Sequence, residues 1–210
     1  MKRFALISVL VAGLAAAAAS PAEATSISFH VQVNTSPLIG SPLAPLFLDF
    51  MLIDGSGSLA VANTVVINNF NFGGGSAVGS PTPSGGAIGN LTSSVTLSDN
   101  ANFFNELFQQ FTPGNSLSFD VTATTNADPI SPDAFSFAIL DKNLFNLPTT
   151  GLGDSLLLAN LAPSLTVSRV QTFSTTAPAG VTVLASPIPE PGTLLLLGTG
   201  IVATIRRVWK

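Results

Sequence analysis

The feature that most limits the folds open to this chain is a period of two. From Ser26 to Asn34, Ile27, Phe29, Val31 and Val33 alternate with Ser28, His30, Gln32 and Asn34. That pattern belongs to a strand with one face in a core and the other in water. The period returns over Leu91 to Ser98, and over Ala134 to Asp141, where Phe135, Phe137 and Ile139 alternate with Ser136, Ala138 and Leu140. Pro45 to Asp54 is apolar on both faces and runs into Gly55-Ser56-Gly57, so it reads as a central strand closed by a turn. Further β segments are expected at Leu59 to Phe72, Val121 to Thr125, Leu156 to Leu161, Leu165 to Ser174 and Val181 to Ala185, with a turn at Asp128 to Asp133. Phe104, Leu107, Phe108 and Phe111 fall at helical spacing between β-like flanks, and Phe103 to Phe111 is read as partly extended. Gly73 to Gly89 is Gly, Ser and Pro with little else and is expected to be a long loop inside one domain. Roughly eight to ten short strands with hardly a helical period predict an all-β chain folded as a single jelly-roll-like β-sandwich. Its fifteen phenylalanines would fill the space between the sheets.

Composition narrows the function. Only 9% of the 210 residues are charged, against roughly 25% in an average soluble protein, so Ser, Thr, Asn and Gln must wet the surface. Between residues 25 and 187, nine acidic side chains face only Lys142 and Arg169. No basic patch is available to neutralise phosphates, and nucleic acid is not an expected partner. Without cysteine there are no disulfides, thiolate metal sites or cysteine nucleophiles. His30, the sole histidine, lies on the polar face of its strand and is read as an outward polar residue. Asp49 interrupts an apolar strand and is expected at a sheet edge or hydrogen-bonded by a loop, with a calcium ligand as the sharper alternative.

The remaining basic residues mark the two ends. Lys2 and Arg3 precede an apolar run, and Ala22-Glu23-Ala24 has the small-x-small form that signal peptidase cuts, so residues 1–24 read as a signal peptide cleaved between Ala24 and Thr25. Thr193 to Ile205 is an uncharged run of 13 residues followed by Arg206 and Arg207. As a helix it reaches only about 20 Å, against about 30 Å of hydrocarbon. Residues 192–209, with the arginines snorkelling and Trp209 at the interface, come nearer to spanning the inner membrane. The sandwich at 25–187 is therefore expected to be flanked by an N-terminal signal helix and a C-terminal hydrophobic helix, with the cations left in the cytoplasm.

Just ahead of that run stands Pro189-Glu190-Pro191. Pro-Glu-Pro, an apolar segment and an Arg-Arg cluster in this order resemble the PEP-CTERM sorting signal of Gram-negative bacteria. The resemblance implies that residues 188–210 are a sorting and anchoring segment. Pro189, Glu190 and Pro191 match its motif, and Arg206 and Arg207 its cytoplasmic stop cluster. It further implies that exosortase, a membrane-embedded cysteine transpeptidase, is a transient partner that processes the chain near the motif. The two prolines hold the backbone extended, in the form a peptidase reads. The Gln110-Phe111-Thr112, Pro113-Gly114 and Leu117-Ser118-Phe119-Asp120 stretch also resembles the strand, turn and strand of jelly-roll modules. The run from Phe29 through Asp133-Ala-Phe-Ser-Phe-Ala-Ile-Leu-Asp141 looks like a group of PEP-CTERM proteins of unknown function.

An enzyme is not expected from this inventory of one His, no Cys and no Tyr. A two-carboxylate glycosidase needs none of these, but the sole Trp lies in the tail and cannot line a sugar groove. No catalytic residue, metal site or cofactor is assigned. The expected role is an exported, exosortase-sorted surface or extracellular-matrix protein, structural or adhesive, of the kind found in biofilms. The alternative is a carbohydrate- or calcium-binding lectin-like module, with exopolysaccharide as its partner. Asn34-Thr35-Ser36 and Asn90-Leu91-Thr92 resemble glycosylation sequons.

Overall fold

The computed structural model describes residues 26–55, 62–126, 131–163 and 165–188. The expected signal peptide, the cleavage position at Ala24 and Thr25, and the tail with Pro189, Glu190, Pro191, Arg206 and Arg207 lie outside the described residues. Among those described, no helix is long and apolar enough to cross a membrane.

Among the described residues thirteen strands follow one another: β1 (Ser26–Asn34), β2 (Leu46–Ile53), β3 (Thr64–Asn71), β4 (Ser76–Ala77), β5 (Thr82–Ser84), β6 (Ala87–Gly89), β7 (Ser94–Ser98), β8 (Phe104–Thr112), β9 (Ser116–Thr124), β10 (Asp133–Leu140), β11 (Leu157–Leu161), β12 (Gln171–Thr172) and β13 (Val183–Pro187). They form two antiparallel sheets, a six-stranded one in the order β13-β1-β9-β3-β7-β6 and a seven-stranded one in the order β12-β11-β10-β2-β8-β4, with β5 also on β8. From β1 to β4 and again from β7 to β10 the chain changes sheet at every step. The pairing of β1 with β9 and of β3 with β7, opposite β2 with β8, is the double Greek key of a jelly roll. The strands β10 to β12 widen one sheet beyond β2, and β13 widens the other beyond β1.

Alternation explains which residues meet between the sheets. In β1, Phe29, Val31 and Val33 are buried while Gln32 and Asn34 are exposed. In β2, Leu46, Leu48, Phe50 and Leu52 point into the core. Phe50 and Phe137 from one sheet meet Phe119 from the other with ring centroids 5.2 to 5.4 Å apart. Each such ring contributes about 1.5–3 kcal/mol by leaving water. The expectation that the phenylalanines fill the core needs correction. Phe29, Phe50, Phe111, Phe119, Phe135 and Phe137 do so, but Phe103, Phe104 and Phe145 are exposed.

Three local expectations also change. Residues 104–111 are all strand, and their helical spacing splits between the faces, with Leu107 and Phe111 inward and Phe104 outward. The Gly/Pro/Ser stretch contains β4, β5 and β6, which pair through backbone with β8 and β7. Their side chains carry almost no apolar period, because only Ala87 among them is fully buried. Residues 165–174 form a 3-10 turn, Val167–Arg169, and the two-residue β12 rather than one strand. At the crossing from β8 to β9, a Cβ on Gly114 would lie 2.3 Å from the carbonyl oxygens of Phe72 and Gly73. Only glycine lets these two chain segments pass so closely.

Candidate functional site

The described fold ends against the sorting segment. β13 pairs antiparallel with the first strand, from Val33 with Val183 to Phe29 with Pro187. The Ile188 N–H then donates to the Ser28 carbonyl at 3.2 Å. Pro189 is the next residue, so the sequence leaves no linker between the last hydrogen bond of the sandwich and Pro-Glu-Pro.

Two groups of carboxyls stand where burial changes their chemistry. The first is on the outer face of the seven-stranded sheet. Because the even positions of β2 face the core, Phe47, Asp49, Met51 and Ile53 face the other way. Asp49 is nevertheless buried, 6% exposed, and its Oδ1 has no hydrogen-bond partner. Its register neighbours are Phe108 on β8 and Ala138 on β10, and the Phe47 and Phe108 rings meet edge to face at 6.0 Å. The expectation of a sheet-edge or loop-bonded Asp49 is therefore corrected, since β2 is flanked by strands on both sides. Burial pushes the Asp49 carboxyl up to about 7, with the charge of Glu106 adding to it. Burial also raises Glu106. A carboxyl without a donor in apolar surroundings favours its neutral form.

The second group lies at one end of the sandwich, where Asp54 follows β2, Asp99 follows β7 and Asp133 opens β10, all three at most 3% exposed. Asn63 ties Asp99 and Asp133 together. Its N–H donates to Asp99 Oδ1 at 2.7 Å and its Nδ2 to Asp133 Oδ2 at 2.7 Å, while Gly55 N–H donates to Asp133 Oδ1 at 2.9 Å. Burial and the adjoining Asp133 carboxyl push Asp99 up to about 7, against the lowering effect of the Asn63 N–H. Asp99 Oδ2 has no donor, and a proton on Asp99 lets it bond the Asp133 carboxyl. Among the described residues no three His, Cys, Asp or Glu side chains stand in metal-binding geometry.

His30 lies on the outer face of the six-stranded sheet, as expected, with Nδ1 2.6 Å from Asp120 Oδ1. Asn69 donates to Asp120 Oδ2 at 2.8 Å, from a left-handed backbone position within an irregular stretch of β3. Both sequon-like asparagines close their own turns, Asn34 Oδ1 accepting from Ser36 and Asn90 Oδ1 from Thr92. An open cavity of about 530 Å³ beside β11 and β12 is lined by Asn160, Leu165, Arg169 and Gln171 among others.

The sequence alone assigned no role to Glu106 or Asp120, which lie within β8 and β9. Sequence reasoning also missed the convergence of Asp54, Asp99 and Asp133, whose only linear trace is an Asp beside a strand terminus three times over. No curated protein and no solved structure matches the chain. Residues 187–208, which begin inside β13, match the family model of the PEP-CTERM protein-sorting motif, and so this chain carries the signal for export, transient membrane anchoring and handling by exosortase behind a jelly-roll sandwich.

Proposed function

We propose that the sandwich is a structural or adhesive component of the cell surface or extracellular matrix, delivered there by exosortase and without catalytic activity of its own. The observation that carries this reading is the sorting motif joined directly to a folded β-sandwich. A neutral polar surface with few charges supports a role in a hydrated matrix. The test is intact-mass analysis of the protein from wild-type and exosortase-deficient cells, together with aggregation of cells lacking the gene. Loss of the tail only where exosortase is present, with altered aggregation on deletion, supports the reading. An intact tail in both strains overturns the sorting part, and unchanged aggregation overturns the structural part.

A calcium- or carbohydrate-binding lectin-like module is the second reading, favoured by Asp54, Asp99 and Asp133 converging at one end. A cation there needs ligands beyond these three, since among the described residues no three acidic side chains stand in metal-binding geometry. Thermal unfolding in calcium against chelator separates the outcomes. A rise in melting temperature with calcium alone supports the module, whereas stabilisation by mild acid without any calcium response assigns the cluster to a shared proton.

A further inference from the structure

The end of β13 belongs to two things at once. Pro187 is paired with Phe29 in the six-stranded sheet, yet it is also the first residue of the sorting motif. Within the strand, peptide groups alternate between the two edges. The Asn34 N–H to Thr182 carbonyl and the Ile188 N–H to Ser28 carbonyl bonds put the even-numbered positions against β1. Val183, Ala185 and Pro187 therefore face the open edge. Pro187, Pro189 and Pro191 have no N–H in any conformation. The donors that an enzyme could use to grip this segment as a strand are those of Ile188 and Glu190, and the fold already holds the first.

Reach gives the same answer. Four residues, 189–192, separate Ile188 from the apolar run that begins at Thr193. Fully extended they cover about 14 Å, little more than the roughly 10 Å thickness of one protein layer. A cleft that encloses Pro-Glu-Pro between the membrane and the sandwich needs more chain than that. The strand can supply it. It is at the sheet edge, its Leu184 is 62% exposed, and Val183 and Ala185 are only partly buried against the core. Val181, fully buried, marks where release would stop. Freeing residues 183–188 adds about 20 Å of extended chain.

We propose that β13 is a latch on sorting: exosortase engages Pro189-Glu190-Pro191 only on chains whose β13 has left β1, so the strength of this edge pairing sets how fast the exported protein is processed. The inference rests on the exosortase reading above and concerns its regulation. The full-length chain contains no cysteine, so a disulfide can be placed cleanly across the pair His30 and Ser186 or the pair Gln32 and Leu184. Hydrogen-bonded antiparallel partners lie about 5.5 Å apart at Cα, within disulfide range, and the exported protein folds where thiols oxidise.

In cells containing exosortase, His30→Cys with Ser186→Cys is expected to slow tail removal by at least about tenfold, a shift readable in a processing time course. Gln32→Cys with Leu184→Cys, which leaves more of the strand free to fray, should slow it less. Six Gly/Ser residues inserted between Ile188 and Pro189 should restore processing of both locked proteins and speed that of the unlocked one. Single-cysteine variants control for the substitutions. Locked proteins processed at the wild-type rate, or a spacer that changes nothing in locked and unlocked chains alike, overturn the latch. A wild-type tail that stays intact in these cells instead overturns the sorting reading on which the latch depends.

Discussion

The outer faces of the two sheets carry carboxyl groups under opposite conditions. On the six-stranded sheet, Asp120 is surrounded by polar side chains: His30 and Asn69 bond it directly, and Ser28 bonds Thr122 nearby. Burial pushes its carboxyl up, but the hydrogen bonds from Asn69 and His30 outweigh that and hold it below the ordinary carboxylate value. On the seven-stranded sheet, Asp49 has Phe108 and Ala138 as neighbours and no donor for its Oδ1, and its carboxyl rises to about 7. The same side-chain type, at the middle of a strand and facing away from the core in both cases, is thus set toward opposite protonation states. The difference lies in what the adjacent strands supply, donors in one case and hydrocarbon in the other.

The largest expected effect follows from Asp49. In the unfolded chain its carboxyl releases its proton near 3.8, in the fold near 7. Between those values the folded protein holds more protons than the unfolded one, so stability falls as pH rises through this window and levels off above it. Asp99 pulls in the same direction. For Asp49 the loss from pH 4 to pH 8 should be on the order of 2–4 kcal/mol. Asp49→Asn should leave stability nearly unchanged at pH 4 and raise it at pH 8 by about 1–3 kcal/mol. Urea unfolding at the two pH values measures this. Parallel pH profiles for wild type and variant would remove the contrast between the faces.

Phe108→Ala sharpens the point by opening the cover over Asp49. Loss of the ring and of its edge contact with Phe47 should cost about 1–2 kcal/mol at pH 5, where Asp49 is neutral. At pH 8 the cost should shrink, because water reaching the ionised carboxyl repays part of it. An equal cost at both pH values would mean that the ring does not set the Asp49 environment.

These contrasts also mark how far the sequence could be read. β1 was legible residue by residue, because a strand with one wet face writes its burial as alternation. β2 was legible as a central strand, since hydrocarbon on both faces is what such a position needs. The chemistry of Asp49 was not, because it depends on Phe108, 59 positions away in sequence, being its register partner. The acidic end was hidden for the same reason, its members being contributed by the ends of three strands. β4 to β6 were hidden differently, since pairing of such short strands rests on backbone that any residue type provides. The sorting motif was the easiest feature to read, being contiguous. Its overlap with β13 needed the register.

The smallest effect belongs to Asp120. Its folded carboxyl lies below the ordinary value, so its stabilisation is present above the unfolded value near 3.8 and is lost as pH falls through the folded one. That is the reverse of Asp49, whose destabilisation accumulates on going up. Because Asp120 sits at a hydrated surface, its bonds to His30 and Asn69 replace good bonds to water, and Asp120→Asn should cost less than about 1 kcal/mol at pH 7. Salt should erode even this, since exposed charges are screened over about 10 Å at 0.1 M. Unfolding of Asp120→Asn and Asp49→Asn at pH 7, in low and high salt, places the two faces on one scale. The variants should shift stability in opposite directions, with the Asp49 change larger and the less salt-sensitive. A shift of the same sign for both would mean that the surrounding strands do not determine the state of these carboxyls, and the contrast between hydroxyl-rich and phenylalanine-rich faces would lose its physical basis.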